Sequence, residues 1–322
     1  MTQVEDISRH LSNDNVFNKI SRRFISMNSD AIRRNNELLR PLFKELENAM
    51  RKQCPLFEKT FQKIEWAGSF YKGTRIGQPE EYDLNFVIKL PFKEKDLQIK
   101  IKKTGPAFTL VIKFPERTID IDVVPVLAFS PRITMPPKCS RRDILQSASE
   151  NRRWSAVPKP LDNSKGFKDS QHRYWRLCFY EFEKDMICSH DYGSIKPVIR
   201  QLKKLRDTQK WHSIASYYLE TLCYNKKEMF HISKKKPYTF LFFTMLEELH
   251  DALHNGKIEF YWDNNYNLLE KIGPVEMGNM ECRLNNVLKS IRKNIKNDDY
   301  AIAKYVCEYL HFLHASNINP YE

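Results

Sequence analysis

"WAGSFYKGTRIGQPEEYDLNF", residues 66–86, sets three of the chain's nine glycines within ten positions, then places Glu81 and Asp83 one residue apart. The acids head an alternating apolar run, Leu84, Phe86, Ile88 and Leu90, which reads as a half-buried strand. Two positions apart on a strand, their side chains leave on the same face. A later strand, "TIDIDVVPVLAF" (118–129), puts Ile119, Ile121 and Val123 on one face and Asp120 and Asp122 on the other. If the two strands are neighbours, Glu81, Asp83 and Asp122 converge. Hard divalent ions need such oxygen ligands, and two Mg²⁺ ions about 4 Å apart would share them. Gly68 and Ser69, at a strand-to-helix turn, offer backbone N–H groups and a hydroxyl to a triphosphate. Gly73 and Gly77 leave the intervening segment free to move.

The chain has 322 residues, enough for one large domain or two lobes, and its 41% hydrophobic content excludes a mainly disordered protein. A net charge of +13 favours polyanionic partners such as nucleic acid or nucleotides. The seven cysteines form no C-x-x-C pair, and the longest apolar stretch, near "YTFLFF" (238–243), is too short to span a bilayer. With no signal-peptide pattern in MTQVEDISRH, a reduced, cytoplasmic protein with no membrane partner is expected.

Leu38, Leu39, Leu42, Phe43, Leu46 and Met50 recur at helical spacing in residues 31–53, with Pro41 expected to kink that helix or lie near a turn. Residues 107–114 read as a further strand. Residues 131–170 are rich in proline and basic side chains and read as a loop-rich connector. Helical periodicity then dominates, at 181–188, 194–207, 213–224, 238–254 and 281–313. The expected fold is α/β (α+β) and bilobed. A long N-terminal helix and mixed twisted sheet occupy 1–165, and a C-terminal helical lobe occupies 166–322.

A glycine-serine pair, then [D/E]-x-D, then a third strand acid resembles the polymerase-β-like nucleotidyltransferases. The longer run of "GSFYKGTRI", "EEYDLNFVIKLP", "IDIDVVPVLAF", "AVPK", "GF", "WRLCF" with "EFEK", and "SYYLETL" resembles cyclic GMP-AMP synthase (cGAS) and the animal cGAS-like receptors. The likeness covers about residues 65–225, and the helix before it fits that family's spine helix. It implies that Glu81, Asp83 and Asp122 hold two Mg²⁺ or Mn²⁺ ions, with Asp120 the local competitor for the third place. It implies that Ser69 and Lys203 contact the triphosphate, with Arg200 one turn before Lys203 on the same side. Ser216 would touch phosphate, Tyr217 stack on a base, Arg176 bond a guanine and Glu183 meet the acceptor nucleotide.

Ala67 stands where the mammalian enzyme has threonine, and Cys178 and Tyr180 replace two serines, which bears on base preference and linkage. No zinc-binding insertion lies between Glu183 and Lys203, so no zinc is expected, and Cys188 and His190 read as free. Zinc-free animal relatives are mostly receptors for double-stranded RNA. The resemblance therefore implies a duplex-RNA-activated synthase of a cyclic dinucleotide from ATP and GTP, acting in innate immunity through a downstream receptor for its product. A dimer on nucleic acid is a further expectation. Phosphate contacts would come from Lys19, Arg22, Arg23, Arg33, Arg34 and Arg40, and from Lys289, Arg292, Lys293 and Lys296. The alternatives are a catalytically silent nucleotide- or RNA-binding protein of the same fold, or an enzyme that adds nucleotides to RNA ends.

Overall fold

The computed structural model describes residues 6–78, 80–88, 108–113, 118–158 and 175–307. They form two compact units: Met27–Met186, and Met1–Ser26 together with Ile187–Glu322. The first helix, α1 (Asn15–Ile20), thus belongs with the C-terminal unit.

The unit Met27–Met186 begins with the long helix α2 (Ser29–Gln53). Asn28 caps it: its side-chain oxygen accepts the N–H groups of Asp30 and Ala31 at 2.8 and 3.1 Å, satisfying two donors of the first turn. Pro41 lies inside the helix on its exposed side, and the helix runs through it. Leu39 and Phe43 bury fully, whereas Leu38 and Leu42, read as part of the same apolar face, remain 44% and 40% exposed. α3 (Pro55–Thr60) then leads into β1 (Phe61–Ala67), α4 (Gly68–Lys72), β2 (Glu81–Ile88), β3 (Phe108–Lys113) and β4 (Thr118–Phe129). After α5 (Arg142–Ser147) come β5 (Trp154–Pro158), β6 (Trp175–Cys178) and α6 (Tyr180–Cys188), the last crossing the unit boundary.

The strands form one mixed sheet, in the order β1-β2-β4-β5-β6, with β3 also paired to β4. β2 and β4 run parallel; the other pairings are antiparallel. β4 presents its second edge to β3 over 118–123 and to β5 over 127–129. Pro125, with no N–H to donate, falls in the short interval between those two pairings. Strand alternation sorts the faces. Tyr82, Leu84, Phe86, Ile119, Ile121 and Val123 pack with Leu39 and Phe43 of α2 and with Phe57 and Phe61. The buried Asn35 side chain anchors the helix there by donating to the Tyr82 hydroxyl at 2.8 Å. Asp83 and Asp122, out of phase with that core by one residue, belong to the opposite face, beside Val87, Val126 and Val157.

The segment read as a connector therefore contributes a helix and a central strand of this sheet. "WRLC" is β6, paired to β5. The sheet continues through 175–178, and the compact unit that holds it runs to Met186.

Lys63 Nζ lies 2.6 Å from Glu65 and 3.5 Å from Glu181, and the Arg153 N–H donates to Glu181 at 2.7 Å. Burial, then the hydrogen-bonded Glu65 carboxyl, hold Glu181 above the usual carboxylate range. The folded state thus binds this proton more tightly than the unfolded chain. Stability from it is present at low pH and lost as pH rises through the raised value. Glu181→Gln, uncharged throughout, is expected to melt a few degrees higher than wild type at pH 7. Melts from pH 4 to 8 at fixed ionic strength should show a flatter profile; parallel profiles would refute the shared-proton account.

The second unit packs α1 with α7 (Ile195–Thr208), α8 (Ser216–Asn225), α9 (Tyr238–His254), the hairpin β7 (Glu259–Phe260) and β8 (Asp263–Asn267), α10 (Pro274–Asn294) and α11 (Ala303–Val306). Asp14 caps α9 by accepting from the Tyr238 and Thr239 N–H groups at 3.1 and 2.8 Å. Gln201 donates to the Phe17 carbonyl at 2.9 Å, tying α7 to α1. The helix expected at 281–313 is instead α10 and the short α11, and residues 308–313 lie outside the described residues. No helix among the described residues is long and apolar enough to cross a membrane.

Candidate active site

The parallel register of β2 and β4 sets Asp83 beside Asp122 and Glu81 beside Asp120. Four acids thus share one face of two adjacent strands, with Asp83 and Asp122 directly opposite each other. The conditional reading of the sequence, that the strands are neighbours, is met. Asp120 and Glu81 lie at the exposed end, while Asp83 and Asp122 sit half-buried. Burial first, then repulsion from Glu81 and Asp122, pushes the Asp83 carboxyl above the usual range, with Arg75 and Lys72 pulling the other way. Such a set calls for a cation.

Gly68 closes this site from β1. Its φ of +72° is left-handed, and a Cβ built on it would stand 1.7 Å from Asp83 Oδ2. Only a residue without a side chain lets the chain pass so near the carboxylate. Ser69 follows in α4, a helix of 5 residues, and its carbonyl accepts the N–H groups of Thr74 and Arg75 at 2.9 and 3.1 Å. Gly73, at φ +72°, ends the helix. Arg75 in the following loop places Nη1 3.0 Å from Glu81 Oε2, a contact the sequence did not reveal.

Among the described residues, no three His, Cys, Asp or Glu groups stand arranged to hold an ion. The donor chemistry still suits a hard divalent ion: carboxylate oxygens only, crowded enough to repel one another, beside a bare Cα. Glu81, Asp83 and Asp122 would hold it, and a bound ion would lower the pKa of an attacking hydroxyl and neutralise a leaving group.

Glu183, read from the sequence as a nucleotide contact, is buried in an ion pair with Lys72 at 2.6 Å. Arg176 on β6 is exposed. Burial, foremost, raises the Cys178 thiol.

In the other unit, Lys203 is likewise committed. It is 2% exposed and lies 2.7 Å from Glu220, whose other oxygen accepts the Tyr224 hydroxyl at 3.1 Å. Helix α7 turns Lys203 into the core, where it offsets a buried carboxylate. Arg200 has the opposite character: its Nε is buried with no hydrogen-bond partner among the described residues. Desolvation alone lowers its pKa. Of the two, Arg200 is the cation with no anion beside it among the described residues. Lys203→Ala is expected to cost about 3–5 kcal/mol in denaturant unfolding, because it strands Glu220. Lys203→Met with Glu220→Gln should recover much of that. A phosphate-gripping lysine would instead lose nucleotide affinity at unchanged stability. Ser216 opens α8 and accepts from Arg206 at 2.9 Å, while Tyr217 lies 6.1 Å from the Phe260 ring. Cys188 accepts from Lys196 Nζ at 3.1 Å.

The basic side chains divide similarly. Arg22, Arg23, Arg33, Arg34, Arg40, Lys289, Lys293 and Lys296 are exposed. Arg33 pairs with Asp30 at 3.4 Å, and Lys19 lies over the Tyr300 ring. Arg292 is held by Glu247 at 2.6 Å and stacks over Phe243, so it takes a packing role within its cluster.

Comparison with known proteins converges on one family. The Mab-21 protein nucleotidyltransferase domain matches residues 91–189, and the Mab-21 protein HhH/H2TH-like domain matches 194–286. Together they span more than half of the chain, and the first includes Asp122. A cyclic GMP-AMP synthase-like receptor of Microplitis demolitor is 28% identical over 90% of this chain and 68% of its own length. One from Trichogramma pretiosum is 26% identical over 92% of this chain and 76% of its own. One from Aethina tumida is 26% identical over 91% of each.

Proposed function

Since this chain belongs to the cGAS-like receptor family of Mab-21 nucleotidyltransferases, we propose that it links ATP and GTP into a cyclic GMP-AMP-type dinucleotide when double-stranded RNA binds it. The family uses divalent ions and nucleoside triphosphates. The reading rests on one observation: Asp83 and Asp122 are register partners on parallel strands, with Glu81 two residues ahead on the same face. In each of two successive transfers a ribose hydroxyl would displace pyrophosphate from an α-phosphorus; the second closes the ring. Catalysis of this kind is chiefly positioning and charge neutralisation. The acids would hold the Mg²⁺ or Mn²⁺ ions, Gly68 allows the close approach, and Ser69 is the proposed phosphate contact.

Duplex RNA would lie on exposed Lys and Arg side chains through its phosphates and 2′-hydroxyls, with two chains to a duplex, a stoichiometry that sizing of the complex tests. Its product would signal in the cytoplasm, in antiviral defence, through a cyclic-dinucleotide receptor. Phosphate neutralisation predicts binding that weakens steeply with salt.

The test is incubation of purified protein with ATP, GTP and Mg²⁺ or Mn²⁺, with duplex RNA, duplex DNA or neither, and product mapping with linkage-specific nucleases. A cyclic dinucleotide formed only with RNA supports the proposal. Product independent of duplex would point to a constitutive nucleotidyltransferase, and nucleotide or RNA binding without product to a silent relative.

A further inference from the structure

We propose that Arg75 is a positioning residue of the acid site: it occupies Glu81 until a divalent ion takes its place, and its release frees the loop after α4. The inference rests on the metal-dependent reading above. Arg75 is held at three points. Its N–H donates to the Ser69 carbonyl at 3.1 Å, its Nε to the Gln78 carbonyl at 3.2 Å, and its Nη1 to Glu81 Oε2 at 3.0 Å. One residue, through its backbone N–H and its side chain, thus ties the start of α4, the far end of the loop and the outermost acid together. Gly73 and Gly77, both at positive φ, flank it.

The arginine and the expected ion make the same demand on Glu81. Four carboxylates on two strands need positive charge, and among the described residues no three of them stand arranged to hold an ion. Glu81 is instead engaged with a guanidinium. The Arg75 side chain is 17% exposed and that of Glu81 53%, so the pair faces water on the carboxylate side, where ion pairs are weak and exchange readily. A doubly charged ion beside Asp83 and Asp122 outcompetes it. Once Glu81 turns to the ion, Arg75 loses its charged acceptor and keeps only its bonds to the Ser69 and Gln78 carbonyls. Metal occupancy and loop position are therefore coupled, and by reciprocity whatever moves the loop alters metal affinity.

The test combines Mn²⁺ titration, followed by electron paramagnetic resonance, with phenylglyoxal labelling of arginines read by mass spectrometry, both on the full chain. Mn²⁺ should raise labelling at Arg75 several-fold in wild type. Arg75→Gln should bind Mn²⁺ several-fold more tightly than wild type. Arg75→Lys, which keeps the charge but loses the planar fork, should fall between them. Labelling of Arg75 unchanged by bound Mn²⁺ overturns the proposal and leaves the metal site standing. So does Arg75→Lys matching wild type while Arg75→Gln binds more tightly, since charge alone would then account for the effect. No Mn²⁺ binding by wild type, or equal binding by Asp83→Asn, overturns the metal reading itself.

Discussion

Asp83→Asn is expected to reduce nucleotidyl transfer by about 1,000-fold or more, because stabilisation of developing charge is the largest catalytic contribution at such sites. The same substitution is expected to raise the melting temperature of the metal-free protein. Asp83 is half-buried, faces Asp122 in register and has Glu81 two residues away, so its ionised form is disfavoured in the fold. With the folded value raised, the native state holds the proton more tightly than the unfolded chain does. Stability from it is present at low pH and is lost as pH rises through the raised value. Asparagine keeps the shape and removes that dependence. Mn²⁺ should reverse the order, since an ion that binds only the native state stabilises it, and wild type alone would gain. Melts with and without Mn²⁺, alongside turnover, check both halves. Near-wild-type turnover, or an equal Mn²⁺-induced shift in the variant, would remove Asp83 from the site.

The acid site was legible because its information is local. Alternation at 82–88 and 118–123 assigns each residue to a face, and Asp83 and Asp122 declare themselves by being polar where their strands' other face is apolar. Helix α9, read at 238–254, is found at those residues for the same reason. What the sequence left hidden depends on partners far along the chain. β5 is five residues within a basic, proline-rich stretch, and only pairing to β4 and β6 makes it a strand. The ion pair of Lys203 was not legible because a helix displays no sign of which turn its neighbour covers; Glu220 on α8 supplies the partner. The partner of Glu183, Lys72, likewise lies 111 residues earlier. Arg75 meets Glu81 only because the glycine-rich loop folds back, a path that spacing does not encode.

Gly68→Ala is expected to disable the site while leaving the fold in place. The left-handed φ of +72° costs a residue with a side chain about 1–2 kcal/mol. The larger effect is steric. The new methyl would lie 1.7 Å from Asp83 Oδ2 and 2.5 Å from its Cγ, so it cannot be accommodated unless the carboxylate or the strand end moves. β1 is fixed to β2 by its register from Phe61 to Ala67, and β2 to β4 along eight residue pairs, so the backbone resists. The Asp83 side chain must therefore give way, rotating from its place opposite Asp122. A displacement of about 1 Å at reacting groups lowers rates about 100-fold, which sets the expected loss of turnover. Circular dichroism should remain native-like, with a melting temperature lowered by a few degrees, and Mn²⁺ affinity should fall along with turnover. Gly77→Ala, at φ +78° with nothing within 4 Å of the added Cβ, separates the two contributions: it carries the strain without a clash. If Gly68→Ala and Gly77→Ala lose equal activity and equal Mn²⁺ affinity, backbone strain alone explains the effect, and the close approach of Gly68 to Asp83 is not what the site requires.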